Sequence, residues 1–241
     1  VLNSMKSGLL LLLLSACGSD GGSGSSQTDP ESTDTDVAQG NTCSPRDTPI
    51  TRIADVIALI NELPKPLSLD CLIASLRHPL EVQATASRIS AQPAISREQP
   101  RIFLQSEGLF LSVVPGDNLL EFGETWQETL SIKGELAFPI EEALSDNAPF
   151  VQIGPIFNQT QTRCGGPCHT PTVEHSKMGG VSVFASQIVR PNPEFRVPLE
   201  ELKAAWNNCT TLDEAACQLY KAMFDAAEPV SFEFNEDLPF F

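Results

Sequence analysis

The chain has 241 residues, with 31 acidic against 15 basic side chains and a formal charge of −16. That balance excludes a polyanion-binding role: nucleic acid and anionic membrane surfaces both select for clustered Lys and Arg. The same charge fits steering of a cationic partner such as a basic redox protein.

In chain order, the first element is a processing signal. Met5-Lys6 precedes the apolar run "SGLLLLLLSAC", which is far below the ~20 residues a membrane-spanning helix needs. The run ends in Leu14-Ser15-Ala16-Cys17, which resembles the lipobox of bacterial lipoproteins. The resemblance implies removal of residues 1–16 and acylation, palmitate included, of Cys17. Gly18 after the cysteine resembles the outer-membrane sorting default. The chain would then be held to a bilayer by its acyl chains, with its domain in the periplasm or at the cell surface. Residues 17–42 carry almost no bulky apolar side chain and are expected to form a disordered tether, spanning roughly 25–30 Å.

The globular part, 43–241, is expected to have a helical cap (43–80), a β core (81–160) and a last segment (161–241) with a helical hairpin and a final strand. Ile53, Val56, Ile57 and Ile60 recur at helical spacing until Leu63-Pro64-Lys65-Pro66 stops them. A second short helix follows the N-cap candidate Ser68. The residues around Leu63-Pro64, Cys71 and Ser75-Leu76 are similar to those of a group of bacterial lipoproteins.

From Glu81 the runs "EVQATASRIS", "RIFLQS", "GLFLSVV", "NLLEFGE", "ETLSIKGELAFP" and "FVQIG" are short and rich in β-branched and aromatic residues. They predict an antiparallel sandwich or jelly-roll-like core in a mainly β, α+β fold. Turns are expected at Gly108 and Asp117-Asn118. Leu130, Ile132, Leu136 and Phe138 alternate with Ser131, Lys133 and Glu135, predicting one buried and one wet face. "VSVFASQIV" reads as a strand, Pro198 opens a helix, and Thr211-x-x-Glu214 is a capping-box spacing for another. Val230, Phe232 and Phe234 read as one face of a last strand. Trp206 and Tyr220 are expected in the core.

Chemistry concentrates in "TRCGGPCHTPTVEHSKMGG", residues 162–180. Without Cys17, six cysteines remain, and neighbour pairing gives Cys43–Cys71, Cys209–Cys217, and Cys164 with Cys168. Covalent haem attachment needs two thiols on one porphyrin edge and an imidazole directly after the second, normally as Cys-x-x-Cys-His. Here three residues separate Cys164 from Cys168, so the stretch resembles an expanded-spacing c-type haem motif. The resemblance implies haem c on Cys164 and Cys168, with His169 as the proximal iron ligand. A distal ligand would come from Met178 or His175, with His78 more remote. Zinc on Cys164, Cys168, His169 and His175 fits poorly with an oxidising compartment. The rival reading is a Cys164–Cys168 disulfide in a stapled β-sandwich that binds a partner and carries no cofactor. No hydrolytic triad or phosphate loop is visible, so a redox carrier or binding module is expected rather than an enzyme.

Overall fold

A computed structural model describes residues 43–153 and 171–240. The tether, Cys17 and the Cys164–His169 stretch lie outside the described residues.

Two helices open the described chain, α1 (Ile53–Glu62) and α2 (Leu69–Ala74). The predicted stripe of α1 is the face that packs: Ile53, Val56, Ile57 and Ile60 are all buried. Its free N-terminal donors are met from two sides. The Asp55 carboxylate accepts from the Thr51 and Arg52 amides at 2.9 and 3.0 Å. Burial acts to raise the Asp55 pKa, but those bonds and the Arg52 charge win and hold it below the ordinary value. Glu124, far along the chain, accepts from the Ile53 amide at 2.8 Å. Ser68 caps α2 as its sequence position predicts, accepting from Cys71 N.

Strands β1 (Glu81–Thr85), β2 (Arg101–Ser106), β3 (Leu109–Val113), β4 (Leu119–Gln127) and β5 (Leu130–Ala137) form an antiparallel meander. A hairpin, β6 (Thr172–Met178) and β7 (Val181–Gln187), joins it through β5. The short β8 (Arg196–Val197) and β9 (Val230–Ser231) both pair with β1, β9 in parallel. The order is β6-β7-β5-β4-β3-β2-β1-β8, so the mainly β, α+β class takes the form of one hydrogen-bonded sheet. Its inner face, with Val82, Ile102, Leu104, Leu111, Phe122 and Leu136, shares one core with α1, α2, α3 (Leu199–Asn207) and α4 (Glu214–Phe224). Each such side chain contributes roughly 1.5–3 kcal/mol by leaving water.

The outer face departs from the expectation of a wet surface. Ser131 and Glu135 of β5 are buried, as are Ser112 and Phe103. Two segments without regular structure account for the cover over β2–β4. Residues 86–100 lay Ser90 and Gln92 over it: the Arg101 guanidinium binds Glu121, Ser90 and Ser112, and Ser112 donates to Gln92 at 2.9 Å. The C-terminal segment brings Phe232 and Phe234 against Phe103 and Phe110. Alternation in β5 therefore marks two chemically different covered faces.

Local corrections follow from turn and cap chemistry. "FVQIG" is not a strand: Ala148–Phe150 is a 3-10 turn, and Phe150 and Ile153, three apart, are the buried pair. The β3–β4 reversal centres on Pro115-Gly116, with Gly116 at φ +89° and the Asp117 amide bonded to Val114 O. Helix α4 is capped by Asp213, which accepts from Ala216 N at 2.8 Å, whereas Thr211 belongs to a preceding 3-10 turn. The last strand is two residues long; Val230 is exposed, and Phe232 and Phe234 leave the sheet to cover its outer face.

Candidate functional site

Two of the three expected cysteine pairs fall on described residues, and both are disulfides: Cys43–Cys71 with Cα atoms 4.9 Å apart, and Cys209–Cys217 at 5.3 Å. The first ties the start of the domain to α2. The second clips the α3–α4 connection to the second turn of α4. Both join neighbours in sequence, so Cys164 and Cys168 are left as the remaining couple of the expected scheme.

The distal candidates are placed. His175 and Met178 both lie on β6, a strand that the sequence reading left unassigned. The signal for it was the Gly179-Gly180 doublet. Met178 faces Val181 across a two-residue turn, with both glycines at positive φ, +54° and +84°. That is the backbone a tight hairpin demands and few other residues supply. Room matters at Gly179 as well, where a Cβ would come within 2.7 Å of Asn147 Nδ2. The doublet is thus committed to a hairpin turn, and Met178 stands exposed beside it. His78 is elsewhere: it belongs to the α2–β1 connection, six strands from β6 in sheet order. Both its ring nitrogens are enclosed without a hydrogen-bond partner in good geometry. Burial depresses its pKa, opposed in part by the Ile73 carbonyl.

Two irregularities in the sheet converge near His175. In β6 the register shifts between Glu174 and Ser176, which makes His175 the unpaired extra residue of a bulge. In β4 it shifts between Thr125 and Gln127, which makes Trp126 the extra residue there. Strands β5 and β7 lie between these two in the sheet. The two bulged side chains nevertheless meet, with ring centroids 4.7 Å apart and planes at 89°. His175 Nδ1 lies 2.9 Å from Ser176 Oγ. Trp126 is 39 % exposed, so this contact sits at the surface.

Sequence reasoning missed Trp126. By strand parity with Leu120, Phe122 and Glu124 it counts as an inner-face residue, but Thr125, Trp126 and Gln127 at the end of β4 are all exposed. Close by in sequence, Glu128 and Glu174 are exposed, the latter 4.0 Å from Lys177.

Among the described residues no cluster of three or more His, Cys, Asp or Glu side chains is arranged to hold a metal ion, and no helix is long and apolar enough to cross a membrane. No family model matches the chain, and no curated protein and no solved structure matches it either.

Proposed function

We propose that the chain is an extracytoplasmic, lipid-anchored electron-transfer protein carrying one covalent haem. In this reading Cys17 bears the acyl chains, Cys164 and Cys168 hold haem c, and His169 is the proximal ligand. A haem bound there supplies one-electron exchange. The protein would hold it through Cys164, Cys168 and His169.

The observation that supports the reading is a second imidazole, His175, half-buried on a bulge of the strand that begins three residues after His169. Along β6, His175 stands about 10 Å from Thr172 and Met178 about 20 Å, at ~3.3 Å per residue. His169 is tied to Thr172 by three residues, a reach of roughly 11 Å. His175 is therefore nearer along the chain to His169 than Met178 is, and would be the second imidazole donor to a haem held there. The donor set, two thiols and two imidazoles, fits a c-type haem. With a charge of −16, a basic redox protein is the expected partner.

A second reading has its own support. Both described disulfides join sequence neighbours, Cys209–Cys217 only eight apart. A Cys164–Cys168 bond would continue that pattern in a stapled binding lipoprotein without a cofactor.

One experiment separates them. The full chain is expressed with a haem-attachment system, and the purified protein is examined by haem staining on a denaturing gel, absorption spectrum and intact mass. Haem mass on a peptide containing Cys164 and Cys168 is the expected result. A colourless protein with the two cysteines joined to each other overturns the haem reading. Anchoring is read separately: Cys17→Ser should move the protein from the membrane to the soluble fraction, and retention in the membrane contradicts it.

A further inference from the structure

We infer that the outer edge of β6 pairs with the same edge of a second copy of this chain, joining the two sheets antiparallel about a two-fold axis. Nothing in this pairing requires the haem.

Strand β6 ends the sheet, and among the described residues no strand lies on its outer side. It is seven residues long and mostly exposed, whereas β8 at the opposite end has two residues. An edge of that length presents backbone N–H and C=O groups to any strand that fits. The ladder identifies which residues do so. Pro171 O accepts from Gln187 N at 3.3 Å, and alternation from that pair turns the backbone of Glu174 away from β7. The two-residue turn closes on Met178 and Val181, and the same alternation turns the backbone of Lys177 outward.

The side chains of this edge complement themselves. In a regular strand, residues three apart face opposite ways. The bulge between Glu174 and Ser176 adds a residue, so Glu174 and Lys177 register with Phe184 and Ser182 on one face. Val173 and Met178 register with Ala185 and Val181 on the other. The 4.0 Å approach of Lys177 Nζ to Glu174 Oε1 agrees with their shared face. A two-fold axis between His175 and Ser176 then sets Glu174 opposite the partner's Lys177, and Val173 opposite the partner's Met178, each match occurring twice. The first joins opposite charges, and the second covers two exposed apolar side chains. Partners in a ladder must share a face, and without the bulge neither match would.

A bulge and a lysine discourage pairing with an arbitrary strand. They admit this one, because the copy brings its glutamate to the lysine and its bulge to the bulge. The edge is short, which places the dimer in the weak class. The formal charge of −16 opposes the approach of two copies, and salt of about 0.15 M screens it beyond ~8 Å.

The test is analytical ultracentrifugation of the full chain carrying Cys17→Ser, which removes acylation as a cause of association, at about 0.15 M salt. Disulfide-linked species are counted on a non-reducing gel and subtracted. With β6 unaltered, the mass should move from monomer toward dimer as concentration rises through the micromolar range. Glu174→Lys sets like charges opposite each other and should raise the dissociation constant about tenfold or more, as should Lys177→Glu. Mixing these two variants should restore the dimer, as should Glu174→Lys/Lys177→Glu within one chain. A protein that stays monomeric at every concentration overturns the inference. So does a dimer indifferent to both single substitutions, which would use another surface, and so does a mixture that fails to recover.

Discussion

Replacing the two described disulfides one at a time gives a quantitative check on how the domain is held together. Cys43–Cys71 closes a separation of 28 residues and Cys209–Cys217 one of 8. Loop-closure entropy alone then assigns about 3.6 kcal/mol to the first bond and about 2.5 kcal/mol to the second at 25 °C. The contrast widens slightly because the buried Cys71 side chain packs among the helical-cap residues. Helix α2 has only six residues, too few to persist without tertiary support. Cys43→Ala/Cys71→Ala should therefore cost more than Cys209→Ala/Cys217→Ala by about 1 kcal/mol or somewhat more. Substitution is needed because a reductant would also open any Cys164–Cys168 bond. Urea unfolding of the three proteins supplies the free energies, with a steeper slope expected where the denatured chain is released from a long loop. Equal costs, or a larger cost for the α4 clip, would refute the loop-length reasoning.

Three further substitutions probe other links. Tyr220 is fully buried, and its hydroxyl donates to the Glu98 carbonyl at 2.6 Å, tying α4 to the 86–100 segment. Burial first, and the Glu98 charge second, push the phenol well above its ordinary pKa, so it remains a donor. Tyr220→Phe should cost about 1–2 kcal/mol in urea unfolding, and a neutral result would remove this bond from the account. Glu124→Gln weakens the carboxylate that accepts from the first amide of α1. A loss of about 0.5–1 kcal/mol, smaller at high salt, is expected, and insensitivity to salt would contradict a charge-assisted cap. His78 titrates below its ordinary value when folded, so near and below pH 6.5 the unfolded chain binds the extra proton. Stability should fall as pH drops through that value, and His78→Phe should flatten this part of the profile. An unchanged slope in the variant would assign it to other groups.

What the sequence made legible followed the strength of each local signal. The α1 stripe, the Ser68 cap and the β1–β5 runs combine periodicity with turn residues, and the structure places all of them. Cysteine parity and adjacency foretold both described disulfides. The failures are tertiary. "FVQIG" has strand-like composition, but Phe150 ends a 3-10 turn and packs in the main core while Ile153 packs on Phe184. Asp213 outcompetes Thr211 as a cap because its carboxylate reaches Ala216 N directly. Burial of Ser112 and Phe103 was invisible because the cover over this face comes from segments 86–100 and 232–238, distant in sequence from β2 and β3. Strand β6 was masked by its own chemistry: residues that look like ligands, "TVEHSKM", also alternate well enough to pair with β7.

The Trp126–His175 contact must be weighed against a simpler cause of bulges. Bulges protect exposed sheet edges from pairing with other chains. Strand β6 ends the sheet, and β4 at Trp126 has passed its last register partner on β3, Leu109 opposite Glu124. Edge protection therefore accounts for each bulge taken singly. It does not account for their side chains. Protection is served by Lys, Pro or an inward charge, and Lys177 of β6 already supplies a charge near its bulge. An exposed indole offers the opposite, an apolar surface that invites association. Two edge bulges arising independently also have no reason to put their extra residues in ring contact across two intervening strands. What the meeting does is local: an aromatic edge 4.7 Å away at 89° restricts rotation of the His175 imidazole and shields part of the indole from water.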